Sequence, residues 1–312
     1  MENKHESVLL SEAVEALEVS PSDVVVDATI GGAGHFASLL EKLDASGTLI
    51  GIDADADAIQ RATEAGKGAK ANVLLVHDNF RNLEAILQNA GVETIDKALF
   101  DLGWSSFHLT AGRGFSFRAE EPLHMTYGSP EEGTTAADMV NDLSETSLAD
   151  LIYTLGEEHF SRGIARSIVA ARAEAPIQTT GQLVAAIEAG VPGWYKKRRI
   201  HAATKTFQAL RIAVNDELGA LREGLAAAIA KLSDGGRVAV ITFHSIEDRI
   251  VKSMLRDAAH AGQGTVITRK PIVPSSAEST RNPRARSAKL RVFERSARAA
   301  ALITSSSLAL YA

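Results

Sequence analysis

Four short apolar runs in the first 101 residues each stop at a polar tip. Val24-Val25-Val26 ends at Asp27, and Thr48-Leu49-Ile50-Gly51-Ile52 at Asp53. Val73-Leu74-Leu75-Val76 ends at His77-Asp78, and Ala98-Leu99-Phe100 at Asp101. Runs of this length that do not alternate with polar residues read as strands buried on both faces. Helical patterns separate them. Phe36, Leu39, Leu40 and Leu43 fall at i, i+3, i+4 and i+7, and Asp55 or Asp57 is placed to cap the next helix. Strand–helix alternation predicts a parallel sheet with helices on both faces. Parallel strands end at one common edge, so the acidic tips belong to a single crevice.

From Trp104 this rhythm breaks. Residues 104–140 are rich in Gly, Ser and Pro and hold the turn Gly112-Arg113-Gly114-Phe115-Ser116-Phe117. Three helical patterns follow. Leu148, Leu151, Ile152 and Leu155 form one stripe that stops near Gly156. Phe160, Ile164 and Ile168 form a second that ends before Pro176. Thr179 with Gln182 reads as a capping box for the third, closed by Pro192. Phe207, Leu210, Val214, Leu218, Leu221, Leu225, Ile229 and Leu232 then keep a helical spacing, which predicts one long amphipathic helix ended by Gly235-Gly236. Residues 237–243 predict a fifth strand and Ile246 to His260 a helix. Val266-Ile267 and Leu290 to Phe293 predict closing strands. The reading is a discontinuous α/β domain, residues 1–107 and 201–298, carrying an inserted helical domain at 108–200, with a low-complexity tail at 299–312.

Composition narrows the function. The chain has 312 residues, a net charge of −6 and no Cys, which excludes disulfides, thiolate metal sites and Cys nucleophiles. Glu2, Lys4 and Glu6 make the start too polar for a secretory signal, and no run approaches the ~18 apolar residues of a membrane span. A cytoplasmic protein is expected. The acidic balance excludes a general nucleic-acid coat. Two stretches depart from it. Trp194 to Val214 holds Lys196, Lys197, Arg198, Arg199, Lys205 and Arg211 with no acid, and Arg281 to Arg298 holds seven basic residues against Glu294. Basic runs beside aromatics such as Trp194 and Tyr195 suit RNA phosphates and splayed bases, although a charge run is also an ordinary solvated face.

The chemistry gathers at the strand tips. Gly31-Gly32-Ala33-Gly34 is a strand-to-helix turn of the kind that lets the backbone approach a ligand. Asp53, 19 residues after Gly34, stands where an acid accepts hydrogen bonds from two ribose hydroxyls. NAD and S-adenosylmethionine sites share this device. After the third strand, Asp78 or Asn79 suits the exocyclic amine of adenine, and Phe80 suits its face. Asp101 would then lie toward the reacting end.

Taken together, several strings resemble one family. They are Asp27-Ala-Thr-Ile-Gly-Gly-Ala-Gly-His35, Asp101-Leu-Gly-Trp-Ser-Ser106, Arg113-Gly-Phe-Ser-Phe117, the block Thr206 to Leu218, Phe243 to Lys252, and Asn282 to Arg291. In order, from His5 to about Arg295, they resemble the bacterial 16S ribosomal RNA cytosine-N4 methyltransferases, also called MraW or RsmH. The resemblance implies a class I S-adenosylmethionine-dependent methyltransferase (Rossmann-like) sheet with an inserted helical domain that recognises cytidine. It implies S-adenosylmethionine as cofactor and N4-methylcytidine in the decoding region of small-subunit rRNA as product. Carried over position by position, it implies cofactor contacts at Ala33, Gly34, His35, Asp53, Phe80, Asp101 and His108, the last standing where the family has Gln. Trp104 for Val, Phe107 for Pro, His124 for Asp, Thr126 for Arg and Ala202 for Pro are further departures.

The exocyclic N4 of cytosine is a poor nucleophile, so the enzyme must hold it in line with the sulfonium methyl and accept hydrogen bonds from it. Asp101 with the hydroxyls of Ser105 and Ser106 is the expected cradle, and the chemistry requires no metal. Phe115 and Phe117 either stack the target base or plug the inserted domain. His244, Ser245, Glu247 and Asp248 either line the pocket or begin a helix. Lys196, Lys197, Arg198 and Arg199 are the expected contacts to 16S rRNA in the small subunit. No membrane partner is expected, and a homodimer stays open. Two other readings also stay open: a nicotinamide-dependent oxidoreductase, and a ribosome-assembly or RNA-binding factor that has kept only the scaffold.

Overall fold

In the computed structural model, which describes residues 6–103, 112–128, 131 and 133–296, the apolar runs become one seven-stranded sheet. Its strands are β1 (Val24–Asp27), β2 (Thr48–Asp53), β3 (Asn72–His77), β4 (Ile95–Asp101), β5 (Leu232–Thr242), β6 (Gly264–Val266) and β7 (Lys289–Arg295). The order is β3-β2-β1-β4-β5-β7-β6. β1 to β5 are parallel, and β7 runs antiparallel between β5 and β6. The central strands are almost wholly apolar because both faces are covered.

The chain divides into two compact units, Met1–Trp104 with Gly219–Ala312, and Ser105–Leu218. In the first, the sheet is flanked by α1 (Leu10–Leu17), α2 (Gly34–Leu40), α3 (Ala56–Ala65) and α4 (Leu83–Asn89). Leu9, Leu17, Phe36, Leu39, Leu49, Leu99, Ile241 and Leu290 bring α1, α2 and the sheet into one buried cluster. α3 begins at Asp55, whose carboxylate accepts the Asp57 N–H at 3.3 Å, so the cap is Asp55 and Asp53 is left to other partners.

The second unit holds α5 (Ala136–Asp142), α6 (Glu145–Gly156), α7 (Ser161–Glu174), α8 (Thr180–Ala189) and α9 (Thr204–Asn215). Thr179 and Gln182 form the expected capping box of α8. Thr135 and Asp138 form a second box that starts α5, a helix the periodicity does not reveal. Leu123, Val140, Leu148, Ile152, Ile164, Leu183 and Phe207 meet in this unit's own core.

The expected long helix from Phe207 to Leu232 is two helices. α9 stops at Asn215, and α10 (Glu217–Lys231) begins after Asp216, which adopts a left-handed conformation with φ 44°. Asn215 explains the break. Its Nδ2 donates to the Met125 and Arg211 carbonyls at 2.8 and 2.9 Å, and its Oδ1 accepts the Tyr127 N–H at 2.9 Å. The side chain thus holds a loop that a continuous helix would displace. Arg211 pairs with Glu217 across the break at 2.9 Å. The unit border accordingly lies at Leu218, beyond the expected 200.

Gly235-Gly236 does not end the helix either. Both glycines lie inside β5, which starts at Leu232, where the pairing with β4 shifts register between Ile95 and Lys97. After β5 come α11 (Ser245–His260) and α12 (Ser276–Arg281). Among the described residues no helix is long and apolar enough to cross a membrane.

Candidate active site

Register places the acids. Asp27 pairs with Gly51 on one side and Leu99 on the other. Asp53 and Asp101 therefore stand at equal height, two residues further toward the carboxyl edge, on the strands flanking β1. The chain leaving β1 passes between them as Ala28 to Ala33. This is the crevice that an open parallel sheet presents to a ligand.

The turn after β1 is shaped by backbone demands. Gly31 and Ala33 both take positive φ, 51° and 63°. Ala33 N–H donates to the Ile30 carbonyl at 2.8 Å and α2 starts at Gly34. A side chain on Gly34 would collide with Ser7, so only glycine allows this approach. Asp53 fastens the turn. Its Oδ2 accepts the Gly31 N–H at 2.8 Å and its Oδ1 accepts the Asp55 N–H at 2.9 Å. Burial raises its pKa, and the Gly31 and Asp55 amides act against that rise. Each carboxylate oxygen keeps a second lone pair, which is what two ribose hydroxyls need.

Beyond β3, Asp78 Oδ1 accepts the Asn79 N–H at 2.7 Å and Asn82 Nδ2 at 2.9 Å, while Asn79 Oδ1 accepts the Arg81 N–H at 3.0 Å. These bonds start a short helical turn at Phe80. The Phe80 ring meets Phe100 edge-on at 5.5 Å. A Cβ on Gly224 of α10 would come within 2.6 Å of that ring, so glycine there is what admits Phe80. The ring is half-buried and fixed in place.

At the tip of β4, the Asp101 N–H donates to Thr29 Oγ1 at 2.6 Å. His35 Nδ1 lies 3.4 Å from Asp101 Oδ2, and Asp101 Oδ1 is buried without a hydrogen-bond partner. His35 is only 3% exposed. Burial acts to lower its pKa, but Asp101 and then Asp27 outweigh this and raise it. Asp27, fully buried, is pushed up to about 7 by burial against the pull of His35. Thr29 and Asp27 are the functional neighbours that motif reading passes over. Their only signal is position, at and just past the tip of β1.

Ser105, Ser106 and His108, with Trp104 and Phe107, lie outside the described residues. Of the four residues from His244 to Asp248 singled out in the sequence, His244 is the N-cap of α11. Its Nδ1 accepts the Glu247 N–H at 3.3 Å, and Glu247 Oε2 accepts the Phe243 N–H at 2.8 Å. A ring nitrogen here does the work of the usual hydroxyl or carboxylate.

In the helical unit, Phe115 is 8% exposed and stacks on Tyr127 at 5.6 Å within the core. Phe117 stacks on His201 at 4.8 Å and meets Phe207 edge-on at 5.4 Å. Phe115 belongs to the core of this unit, and Phe117 is only partly buried against it. Lys196, Lys197, Arg198 and Arg199 are all exposed. Tyr195 anchors them. Its hydroxyl donates to the buried Glu158 at 2.5 Å, and Arg198 lies 5.0 Å over its ring. Burial and Glu158 push the Tyr195 hydroxyl up to about 12. Trp194 beside it is 62% exposed.

The second basic run is largely used internally. Lys289 and Arg291 both pair with Asp248, at 2.9 and 2.7 Å. Arg281 pairs with Glu6 at 2.8 Å, and Arg295 donates to the Ile229 carbonyl at 2.7 Å. Its expected role as an RNA face is therefore reduced. These cations brace β7 and the first residues described.

A sheet of this order, with one antiparallel strand between β5 and β6, is that of the class I methyltransferases. The turn fastened by Asp53, with Asp101 across β1, lies at the carboxyl edge of that sheet. The chain is an S-adenosylmethionine-dependent methyltransferase, as its family and relatives show. The family can also be named. The model of the MraW methylase family matches residues 2–296, and the chain belongs to that family. It is 52% identical over 294 residues to the ribosomal RNA small subunit methyltransferase H of Deinococcus radiodurans, covering 94% of this chain and 90% of that one. It is 45% identical over 307 residues to the protein of the same description from Brevibacillus brevis, covering 93% and 98%. With that of Lachnospira eligens it shares 42% over 311 residues, covering 95% and 98%. These findings favour neither the nicotinamide oxidoreductase nor the scaffold without activity.

Proposed function

We propose that this methylase transfers a methyl group to N4 of one cytidine in the decoding region of 16S rRNA, within the small ribosomal subunit in the cytoplasm. The observation that carries the reading is Asp101. It stands across β1 from Asp53, with one buried carboxylate oxygen that has no hydrogen-bond partner among the described residues. A buried, unsatisfied acceptor is costly unless a ligand donates to it.

The residues present fit the cofactor. Ala33, Gly34 and His35 offer backbone at the turn, Asp53 accepts the ribose hydroxyls, Phe80 covers the base, and His108 completes the set. S-adenosylmethionine supplies an activated methyl on a sulfonium that leaves as a neutral thioether. Asp101, with Ser105 and Ser106, holds the cytosine amino group and accepts its hydrogen bonds. Held there, the amino group would stand ready for the methyl that the bound cofactor would supply. The surplus proton on N4 leaves to Asp101 and then to water. Lys196 to Arg199 engage rRNA phosphates, and His244 begins α11 at the carboxyl end of β5. The chain acts as a monomer or as a homodimer.

The test is mass spectrometry of nucleosides from small-subunit rRNA. Subunits from a strain lacking the gene are incubated with purified protein and S-adenosylmethionine. N4-methylcytidine should appear only when both are present. Its absence, with methyl transfer to another base or to none, overturns the reading.

A further inference from the structure

Two buried ionisable groups, Asp27 and His35, lie behind the cofactor turn, and the functional reading gives their side chains no part. Asp27 ends β1 with no solvent exposure. Its Oδ1 accepts the Thr29 N–H at 3.1 Å and its Oδ2 has no hydrogen-bond partner. Thr29 in turn accepts the Asp101 N–H at 2.6 Å. His35, in the first turn of α2, closes the circuit through its 3.4 Å approach to Asp101 Oδ2. An aromatic or aliphatic side chain would fill the His35 position without the desolvation cost of a buried imidazole, so packing alone does not account for it.

We propose that His35 is a positioning residue. Its imidazole holds Asp101 Oδ2 and so fixes the orientation of the carboxylate at the tip of β4, with Asp27 as the buried acid behind it. The inference rests on the reading of Asp101 given above. It departs from the expected part of His35, which was a cofactor contact from the turn.

The charges that act on His35 come from Asp101 on β4 and Asp27 on β1. Both are acids and act to raise its pKa against the effect of burial. An amino group that must shed a proton after methylation needs an acceptor held in a fixed place, and the contact at Asp101 Oδ2 supplies that hold.

The experiment has two arms, both on the full chain. In the first, histidine-labelled protein is titrated by NMR, with His35 assigned by its loss in His35→Gln. His35 should titrate above its ordinary value of 6.5. In Asp101→Asn it should fall, as expected when an adjacent opposite charge is removed. Titration at or below 6.5 in the wild type, or no response to Asp101→Asn, overturns the proposal. This arm needs no turnover and does not require His35→Gln to be stable.

In the second arm, His35→Gln should bind S-adenosylmethionine within about threefold of wild type, while kcat falls about tenfold or more. An unchanged kcat in a folded variant overturns the positioning role. If the wild type transfers no methyl to small subunits but the NMR coupling is present, the substrate reading has failed and the arrangement of His35 and Asp101 stands.

Discussion

Asp53 Oδ2 accepts the Gly31 N–H at 2.8 Å, which ties the tip of β2 to the turn after β1. The same carboxylate is thus both the clasp of the glycine turn and the proposed ribose acceptor. Asp53→Ala removes two hydrogen bonds to a charged acceptor, at Gly31 and Asp55. Calorimetry should find no measurable S-adenosylmethionine binding, and denaturant melts should show a loss of about 2–4 kcal/mol. Wild-type affinity in the variant would refute the ribose role.

Asp27 makes stability depend on pH in a defined direction. Its carboxyl rises from 3.8 to about 7 on folding, so the folded chain binds a proton that the unfolded chain has released. The associated stability is complete below about 4 and is lost as pH climbs through about 7. The His35 pKa, raised by Asp101 and Asp27 against the effect of burial, adds a loss in the same direction starting above 6.5. Asp27→Asn should flatten the curve between pH 4 and 7, removing a slope worth about 2–4 kcal/mol. Parallel wild-type and variant curves over that window would show that Asp27 ionises freely in the fold.

The exposed run at Lys196 to Arg199 is separable from the cofactor edge. Replacing all four with Ala should weaken binding to small subunits and lower the slope of log K against log salt by up to about 3. Cofactor affinity should stay unchanged. A salt slope equal to wild type would make these side chains ordinary surface.

How far the sequence discloses this arrangement depends on the kind of signal. β1 to β4 announce themselves because each carries a short run of consecutive apolar residues, although β3 at the sheet edge leaves Leu74 exposed and β4 buries Lys97. Their tips follow directly, and Asp27, Asp53 and Asp101 are where the apolar runs stop. Signals that depend on a distant partner are silent. Nothing near Asn215 states that its amide will bind Met125 and Tyr127, so the apolar spacing runs unbroken through a point where the helix ends. Arg291 and Lys289 look like surface cations until Asp248, 43 and 41 residues away, is placed beside them. The partnership of His35 with Asp101 is hidden for the same reason, since it joins the first turn of one helix to the tip of a strand 66 positions later. Local periodicity records which face is buried, whereas these features are pairings created by the sheet order.

The place of β5 in that order has a consequence for synthesis. β4 is buried between β1 and β5, and β5 begins only at Leu232, after the whole helical unit has been made. At about 5–20 residues per second, the ribosome leaves β4 as a bare apolar edge for roughly 7–26 s. Such an edge invites pairing with other nascent chains. The inserted unit therefore sets the interval during which this protein most needs a chaperone.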